Sequence, residues 1–170
     1  MKVSLILFFM VFWFLEFANG ENHTSLQKNA EPPNLVFIIA DDCTFRDIGC
    51  YGGQAFTPHI DHLATEGMKF SSCFQAAPMC SPTRHNIYTG LYPVKSGAYP
   101  NHTRAFEHVK SIAHYLQPVG YRVVQTGKKH FNPPSVFPFE YFPKSKGRDP
   151  DMGSIDELFT QCKTSNTPFC

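Results

Sequence analysis

The chain has 170 residues and a net charge of +1, so its charge gives no reason to expect nucleic acid or an anionic membrane surface as a partner. Aromatic residues make up 15% of it and prolines number 14, which is typical of a folded chain with many ordered loops rather than a disordered one. The length is sufficient for one domain with a single hydrophobic core.

The first twenty residues have the pattern of a signal peptide. A short basic start at Met1-Lys2 precedes the apolar run 3–15, and small residues at 18–20 offer a plausible cleavage site. The apolar run is shorter than the roughly twenty residues of a membrane span, so a retained anchor is the less favoured alternative. We therefore expect an exported protein that has no membrane attachment after cleavage, with residues 21–32 as a polar lead-in.

Export has consequences for cysteines and asparagines. Six cysteines make disulfide bonds possible, although their pairing cannot be read from the sequence, and no CxxC-type metal spacing occurs. Cys162 and Cys170 are close enough in the chain for a local bridge. Sequons that begin at Asn22 and Asn101 predict a glycoprotein if the source organism glycosylates exported proteins.

The first half of the chain predicts alternating strands and helices. The apolar, β-branched run 34–40 is typical of a strand buried on both faces, as in a parallel sheet. Residues 57–66 predict a helix, and 68–74 predict a short strand. Ser81 is a good N-cap for a second helix, which we expect to end at Gly90.

The second half continues the same order. Helical periodicity covers 109–116, residues 121–126 predict a further buried strand, and 131–151 predict a loop rich in proline and aromatic residues. A last helix is predicted over 154–161, with Ser154 as its cap and Glu157 in the capping-box position. The strand–helix–strand order predicts an α/β domain with a mostly parallel sheet flanked by helices.

Polar side chains gather at three loop ends of the predicted sheet edge: Asp41 and Asp42, Cys80 and Arg84, and Lys128 and His130. Adjacent carboxylates after a buried strand are hard oxygen ligands for a divalent cation. Cys80 lies just before a helix start, where free N–H groups favour an anion. A lysine and a histidine at a strand end can bind an oxyanion and transfer a proton. Each pair alone also fits a turn, a buried cysteine or a solvated loop, but their joint occurrence at one edge indicates a site.

Several segments resemble those of the sulfatase family, within the alkaline-phosphatase-like superfamily, over residues 33–142. The matching segments are the strand and acidic pair at 34–42, TPHIDHLA at 57–64, CSPTR at 80–84, YTG at 88–90 and GKKH at 127–130. The GKKH block, followed by VFPF at 136–139, resembles the sulfamidase (heparan N-sulfatase) group and its bacterial relatives. The resemblance implies that 33–170 is the incomplete N-terminal portion of a sulfatase catalytic domain.

The resemblance also implies a mechanism. Cys80 would be oxidised to formylglycine by a formylglycine-generating enzyme, and one hydroxyl of the hydrated aldehyde would attack sulfur and displace the alcohol or amine. A divalent metal, with Ca²⁺ as first choice and Mg²⁺ as the alternative, would acidify that hydroxyl. The second hydroxyl would then lose its proton and expel sulfate. Asp41, Asp42 and the modified Cys80 would hold the metal, and Arg84 would hold the diol. Lys128 would contact sulfate, and His130 would hydrogen-bond the diol and assist proton transfer.

The implied substrate is a sulfate ester or N-sulfate of a carbohydrate such as a glycosaminoglycan. The implied compartment is lysosomal or extracellular in a eukaryote, and periplasmic or extracellular in a bacterium. Two alternatives stay open: a phosphonate or phosphate monoester hydrolase of the same superfamily, and a non-catalytic secreted protein that binds sulfated glycans. Family members are longer and carry a second metal-binding pair beyond the matching region, so we expect little or no activity from the 170 residues alone.

Overall fold

The structure is a computed structural model that describes residues 31–142 and 148–170. The predicted signal peptide and most of the polar lead-in lie outside the described residues. The elements named below belong to one compact unit, residues 34–170. None of the helices in the described ranges is long and apolar enough to cross a membrane.

Short helices dominate this unit. The α-helices of the described ranges are α1 (Pro58–Glu66), α2 (Cys80–Thr89), α3 (Pro93–Ser96), α4 (Ile112–Leu116) and α5 (Met152–Ser165), and 3₁₀ turns occur at Gly49–Tyr51 and Gln117–Val119. The prediction for α1 is confirmed, since Pro58 takes the first helical position and the amide of Gly67 closes the end on the carbonyl of Leu63 at 2.9 Å. Helix α4 is shorter than predicted because Ser111 caps it with a capping box.

The predicted cap of the last helix is wrong. Helix α5 begins after Asp151, whose carboxylate accepts from the amide and the hydroxyl of Ser154 at 2.8 and 2.7 Å. An aspartate that accepts two hydrogen bonds satisfies the free end of the helix and complements its dipole. Glu157 does not close a capping box; it accepts from Gln161 one turn later, at 2.9 Å.

The sheet is parallel, as predicted, but much smaller than predicted. Strands β1 (Val124–Gln125) and β2 (Glu140–Tyr141) pair in parallel, and a parallel bridge joins Arg122 to Phe169. The register places Val124 opposite Glu140 and Gln125 opposite Tyr141. Strand β2 lies inside the segment predicted to be a loop. The α/β class is confirmed as a partial domain with a small parallel sheet and helices.

Two predicted strands, 34–40 and 68–74, do not form. Phe37 and Ile38 are 62% and 88% exposed, and Phe74 is 90% exposed. A strand that is buried on both faces requires hydrogen-bonded neighbours and covering helices. No strand of the described ranges pairs with 34–40, although the amide of Leu35 donates to the carbonyl of Phe169 at 2.9 Å, and the side chains of residues 36–38 stay exposed. Their apolar composition is typical of buried strands, but in the described part of the chain both segments have irregular backbone.

The hydrophobic core is aromatic and surrounds Phe137. Its buried members are Ala105, Val109, Ala113, Val123, Phe131, Val136, Phe137 and Phe139. Tyr88 of α2 packs edge-to-face on Phe131 and Phe139, with ring centroids 5.1 and 5.2 Å apart, a favourable arrangement for aromatic pairs. Because Tyr88 and Cys80 lie on one helix, core packing also positions the helix that carries Cys80.

The suggested bridge between Cys162 and Cys170 is absent, and all six cysteines are free. Cys162 is buried on α5. Cys170 is tied by backbone hydrogen bonds to another segment: its amide donates to the carbonyl of Arg122 at 3.0 Å, and its carbonyl accepts from Val124 at 2.8 Å. These bonds extend the small sheet and account for the position of Cys170 without a disulfide.

Candidate active site

Helix α2 carries Cys80 in its first turn. The backbone is extended at Met79 and helical from Cys80 onward. Ser81, predicted to be the cap, is instead buried inside the first turn, and its backbone amide donates to Oδ1 of Asn101 at 3.3 Å. The predicted end is confirmed, since Gly90 takes the left-handed conformation with φ 69°.

The structure brings the acidic pair and the cysteine together. One ligand atom from each of Asp41, Asp42 and Cys80 lies within 4.8 Å of the others. The thiol of Cys80 donates to Oδ1 of Asp42 across 3.7 Å. Asp41 and Asp42 directly follow the segment 34–40. Asp42 thus contacts the first turn of a helix that lies 38 positions further along the chain.

The donor set suits a hard divalent cation in its carboxylates but not in its sulfur. Carboxylate oxygens are the ligands that Ca²⁺ and Mg²⁺ prefer, whereas thiolate sulfur selects softer metals. An oxygen on residue 80 in place of Sγ would give three oxygen ligands. Ca²⁺ takes about six to eight, so these residues fill only part of its coordination shell.

Asp41 is held by two cations on its two oxygens. Nη2 of Arg84 lies 3.3 Å from Oδ1, and Nζ of Lys128 contacts Oδ2. The side chains of Arg84 and Lys128 are 6% and 12% exposed. The hydrogen bond from Lys128 lowers the pKa of Asp41 below its ordinary value; Arg84 adds to this effect and partial burial opposes it. Asp41 is therefore an ionised carboxylate at neutral pH.

The GKKH loop follows β1 directly, as predicted, and is held by side chains from two elements. The carbonyl of Lys128 accepts from Nη1 of Arg84 at 3.0 Å and from Nε2 of Gln125 at 3.2 Å. His130, two residues on, has a left-handed backbone with φ 56°. Burial lowers the pKa of His130, and the positive charges of Lys128 and Arg84 add to the effect. The imidazole is therefore neutral at neutral pH.

His102 is a site residue that the sequence did not reveal. Its Nδ1 lies 2.8 Å from Nε2 of His130. In the sequence it belongs only to the sequon that begins at Asn101, and no spacing rule connects position 102 with position 130.

Backbone strain is concentrated at this site. Among the described residues, four that are not glycine have a left-handed backbone, and three of them are Asp42, His102 and His130, with φ of 54°, 62° and 56°. Such a conformation costs about 1–2 kcal/mol per residue and is typical of functional sites. The concentration is an independent indication that these loops are positioned for a purpose other than stability.

Comparisons with known proteins agree with this geometry. Residues 33–164 match the Sulfatase family model. The chain is 36% identical over 160 residues to an ulvan-active sulfatase from Formosa agariphila, covering 90% of this chain and 32% of that protein. It is also 36% identical over 118 residues to N-sulphoglucosamine sulphohydrolase from Homo sapiens, covering 66% of this chain and 23% of that protein.

A solved structure supports the fold. That structure is of another protein in complex with its substrate, D-glucosamine-2-N,6-O-disulfate. It matches with a TM-score of 0.65 and 25% identity, and the match covers 81% of this chain and 33% of the solved one. The chain thus spans about a third of the length of the ulvan-active sulfatase and of the solved protein. The match of most of its residues to one family model confirms the resemblance, and the chain belongs to the sulfatase family.

Proposed function

We propose that this chain contributes the attacking half of the active site of a hydrolase that cleaves sulfate esters or N-sulfates of carbohydrates. The observation that carries the proposal is the convergence of Asp41, Asp42 and Cys80 within 4.8 Å, with Arg84 and Lys128 bound to Asp41. The relatives named for ulvan and N-sulphoglucosamine, and the solved complex with a sulfated glucosamine, favour a sulfated glycan such as a glycosaminoglycan as substrate.

In this proposal Cys80 is oxidised to formylglycine by a formylglycine-generating enzyme during export. The hydrated aldehyde supplies an oxygen nucleophile and a second hydroxyl through which sulfate can leave. The chemistry of the donors supports the change, because it replaces a soft sulfur beside two carboxylates with a hard oxygen. The first twenty residues would direct export, to a lysosomal or extracellular site in a eukaryote or a periplasmic or extracellular one in a bacterium.

Asp41, Asp42 and the oxygen of residue 80 would hold a divalent cation, Ca²⁺ before Mg²⁺. When bound, the ion supplies Lewis acidity at the reacting oxygen. The formal charges of Asp41, Asp42, Arg84 and Lys128 cancel, so a divalent ion would leave the site with a net positive charge. That charge is complementary to a sulfate group.

The remaining roles fall to side chains already in place. Arg84 holds Asp41 and the GKKH loop together, so it orients the carboxylate beside residue 80. Lys128 donates to oxygens of the sulfate group, and the neutral His130 is available for proton transfer. Because three ligands cover only part of the coordination shell of Ca²⁺, we expect little or no turnover from the 170 residues alone.

The test is to express the chain with and without a formylglycine-generating enzyme and to measure the mass of the peptide that contains residue 80 by mass spectrometry. We expect the enzyme to convert Cys80. Ca²⁺ calorimetry on the modified chain should then show binding that Asp42→Asn weakens by about tenfold or more. Asp156→Asn, which removes an exposed carboxylate on α5, should leave binding unchanged.

An unmodified Cys80 together with no Ca²⁺ binding would overturn the proposal in favour of a non-catalytic glycan-binding protein. Inorganic sulfate and inorganic phosphate, titrated separately into the Ca²⁺-bound chain, decide the remaining alternative. We expect sulfate to bind the more tightly, and preference for phosphate would point to a phosphate monoester hydrolase.

A further inference from the structure

We propose that Asn101 and His102 are positioning residues that hold His130 in the tautomer with its proton on Nδ1. Four groups form a hydrogen-bonded chain that begins at the backbone amide of Ser81, next to Cys80, and ends at His130. Its use in catalysis rests on the proposed function, but the chain of hydrogen bonds stands on its own geometry.

The orientation of the Asn101 amide is determined by its first contact. The amide of Ser81 lies 3.3 Å from Oδ1 of Asn101, and a backbone N–H can only donate. The oxygen of Asn101 must therefore face Ser81. This leaves the NH₂ group of Asn101 on the side of His102, where Nδ2 lies 3.3 Å from Nε2 of His102.

The state of His102 follows from that orientation. Because an NH₂ group can only donate, Nε2 of His102 has to be an unprotonated acceptor. A neutral imidazole carries one proton, which must then lie on Nδ1. That nitrogen is 2.8 Å from Nε2 of His130, so His102 donates and His130 accepts.

The last step concerns His130. Its Nε2 accepts from His102, so the proton of the neutral ring has to be on Nδ1. Within the described part of the chain, Nδ1 of His130 is buried and has no hydrogen-bond partner. Burial and the neighbouring positive charges keep the ring neutral. His130 therefore presents a fixed donor, and the acceptor that suits it is an anionic oxygen such as that of a sulfate group.

The backbone conformation supports a functional role for these hydrogen bonds. His102 and His130 are both left-handed, with φ of 62° and 56°. In both loops the structure tolerates a strained conformation that brings two rings to hydrogen-bond distance. Strain of this kind persists where surrounding contacts define a site.

Nitrogen-15 NMR of the unaltered chain tests the proposal directly. The sequence has eight histidines, few enough to assign their ring nitrogens by single substitutions. At about pH 8, above the ordinary pKa of histidine, we expect His102 and His130 both to carry the proton on Nδ1, with an N–N coupling across the bond between them. His114 is the internal control, because the amide of Ser111 donates to its Nδ1 at 3.2 Å and fixes the opposite tautomer.

The variant Asn101→Asp should reverse the direction of these hydrogen bonds. A carboxylate can accept both from Ser81 and from Nε2 of His102, which shifts the proton of His102 to Nε2 and that of His130 likewise. Asn166→Asp adds the same charge at the end of α5 and should leave both tautomers as they are. If Asn101→Asp fails to fold, the spectrum of the unaltered chain still decides.

A proton on Nε2 of His130 in the unaltered chain, or tautomers that Asn101→Asp does not change, would overturn the proposal. Inorganic sulfate, added to the modified Ca²⁺-bound chain, should shift the Nδ1 resonance of His130 more than any resonance of His114. The tautomers are observable without sulfatase chemistry, so an unmodified Cys80 with the expected tautomers would count against the proposed function and still support the chain of hydrogen bonds.

Discussion

Arg84 and Lys128 are joined directly, because Nη1 of Arg84 donates to the backbone carbonyl of Lys128 at 3.0 Å while both side chains bind the carboxylate of Asp41. A planar guanidinium donates in two directions at once. Arg84 therefore fixes a loop and a carboxylate with one side chain that is only 6% exposed. An ammonium group on a flexible stem is not preorganised for both contacts.

The first prediction follows from this geometry. Arg84→Lys should lower the free energy of unfolding by about 1–3 kcal/mol, because it leaves the part-buried carbonyl of Lys128 or the carboxylate of Asp41 without its partner. Arg104→Lys is the matched control, since its ion pair with Glu107 is 66% exposed on both sides and should change stability by less than about 0.5 kcal/mol. Urea unfolding measures both; equal losses would show that Arg84 has no special structural role.

The second prediction concerns pH. The hydrogen bond from Lys128 lowers the pKa of Asp41 in the folded state, so the unfolded chain takes up this proton first as pH falls. The stability from the contact is present above the unfolded value of 3.8 and is lost as pH falls through the lower folded value.

Titration of the side-chain carboxyl ¹³C resonance of Asp41 checks this sign. The resonance should titrate below 3.8 in the unaltered chain and higher in Lys128→Met. Lys163→Met removes an exposed lysine of α5 and should leave the midpoint unchanged. A midpoint that Lys128→Met does not raise would contradict the prediction.

The third prediction concerns the core. Phe137 has no exposed surface and its ring lies 4.7 Å from that of Phe131, so Phe137→Ala should lower the free energy of unfolding by about 3–5 kcal/mol. Phe56 is 91% exposed, and Phe56→Ala should change it by less than about 0.5 kcal/mol. Thermal or urea unfolding compares the two. Similar values would mean that the aromatic cluster is not the main core.

The fourth prediction isolates backbone strain at His102. Both His102→Ala and His102→Gly remove the imidazole, but only glycine adopts a φ of 62° without a steric penalty. We expect the glycine variant to be the more stable of the two by about 1 kcal/mol in urea unfolding. An alanine variant of equal or greater stability would show that the left-handed conformation costs nothing here.

The candidate site was easier to predict than the fold around it. Asp41, Asp42, Cys80, Arg84 and Lys128 could be identified from their joint occurrence at predicted loop ends and from the family resemblance. The structure brings them together although the predicted strand before Asp41 does not form. His102 could not, because its contact with His130 depends on two left-handed loops that leave no periodic trace in the sequence.

The predicted strand 34–40 shows why element prediction failed locally. Its apolar side chains indicate burial, but burial requires partners, and a sequence pattern does not say which segment supplies them. The reverse error occurred around Phe131 and Phe137. Prolines and aromatic residues without periodicity predicted a loop there, yet that irregular segment supplies half of the buried core cluster.

The contact between Lys128 and Asp41 joins residues 87 positions apart, and that between Cys80 and Asp42 spans 38. Closing loops of such length costs chain entropy before any contact is gained, and long-range contacts of this kind slow folding. Helices such as α1 and α5 need only neighbours in the chain and can form early. We therefore expect the charges around residue 80 to assemble late in folding and to separate early when the domain loosens.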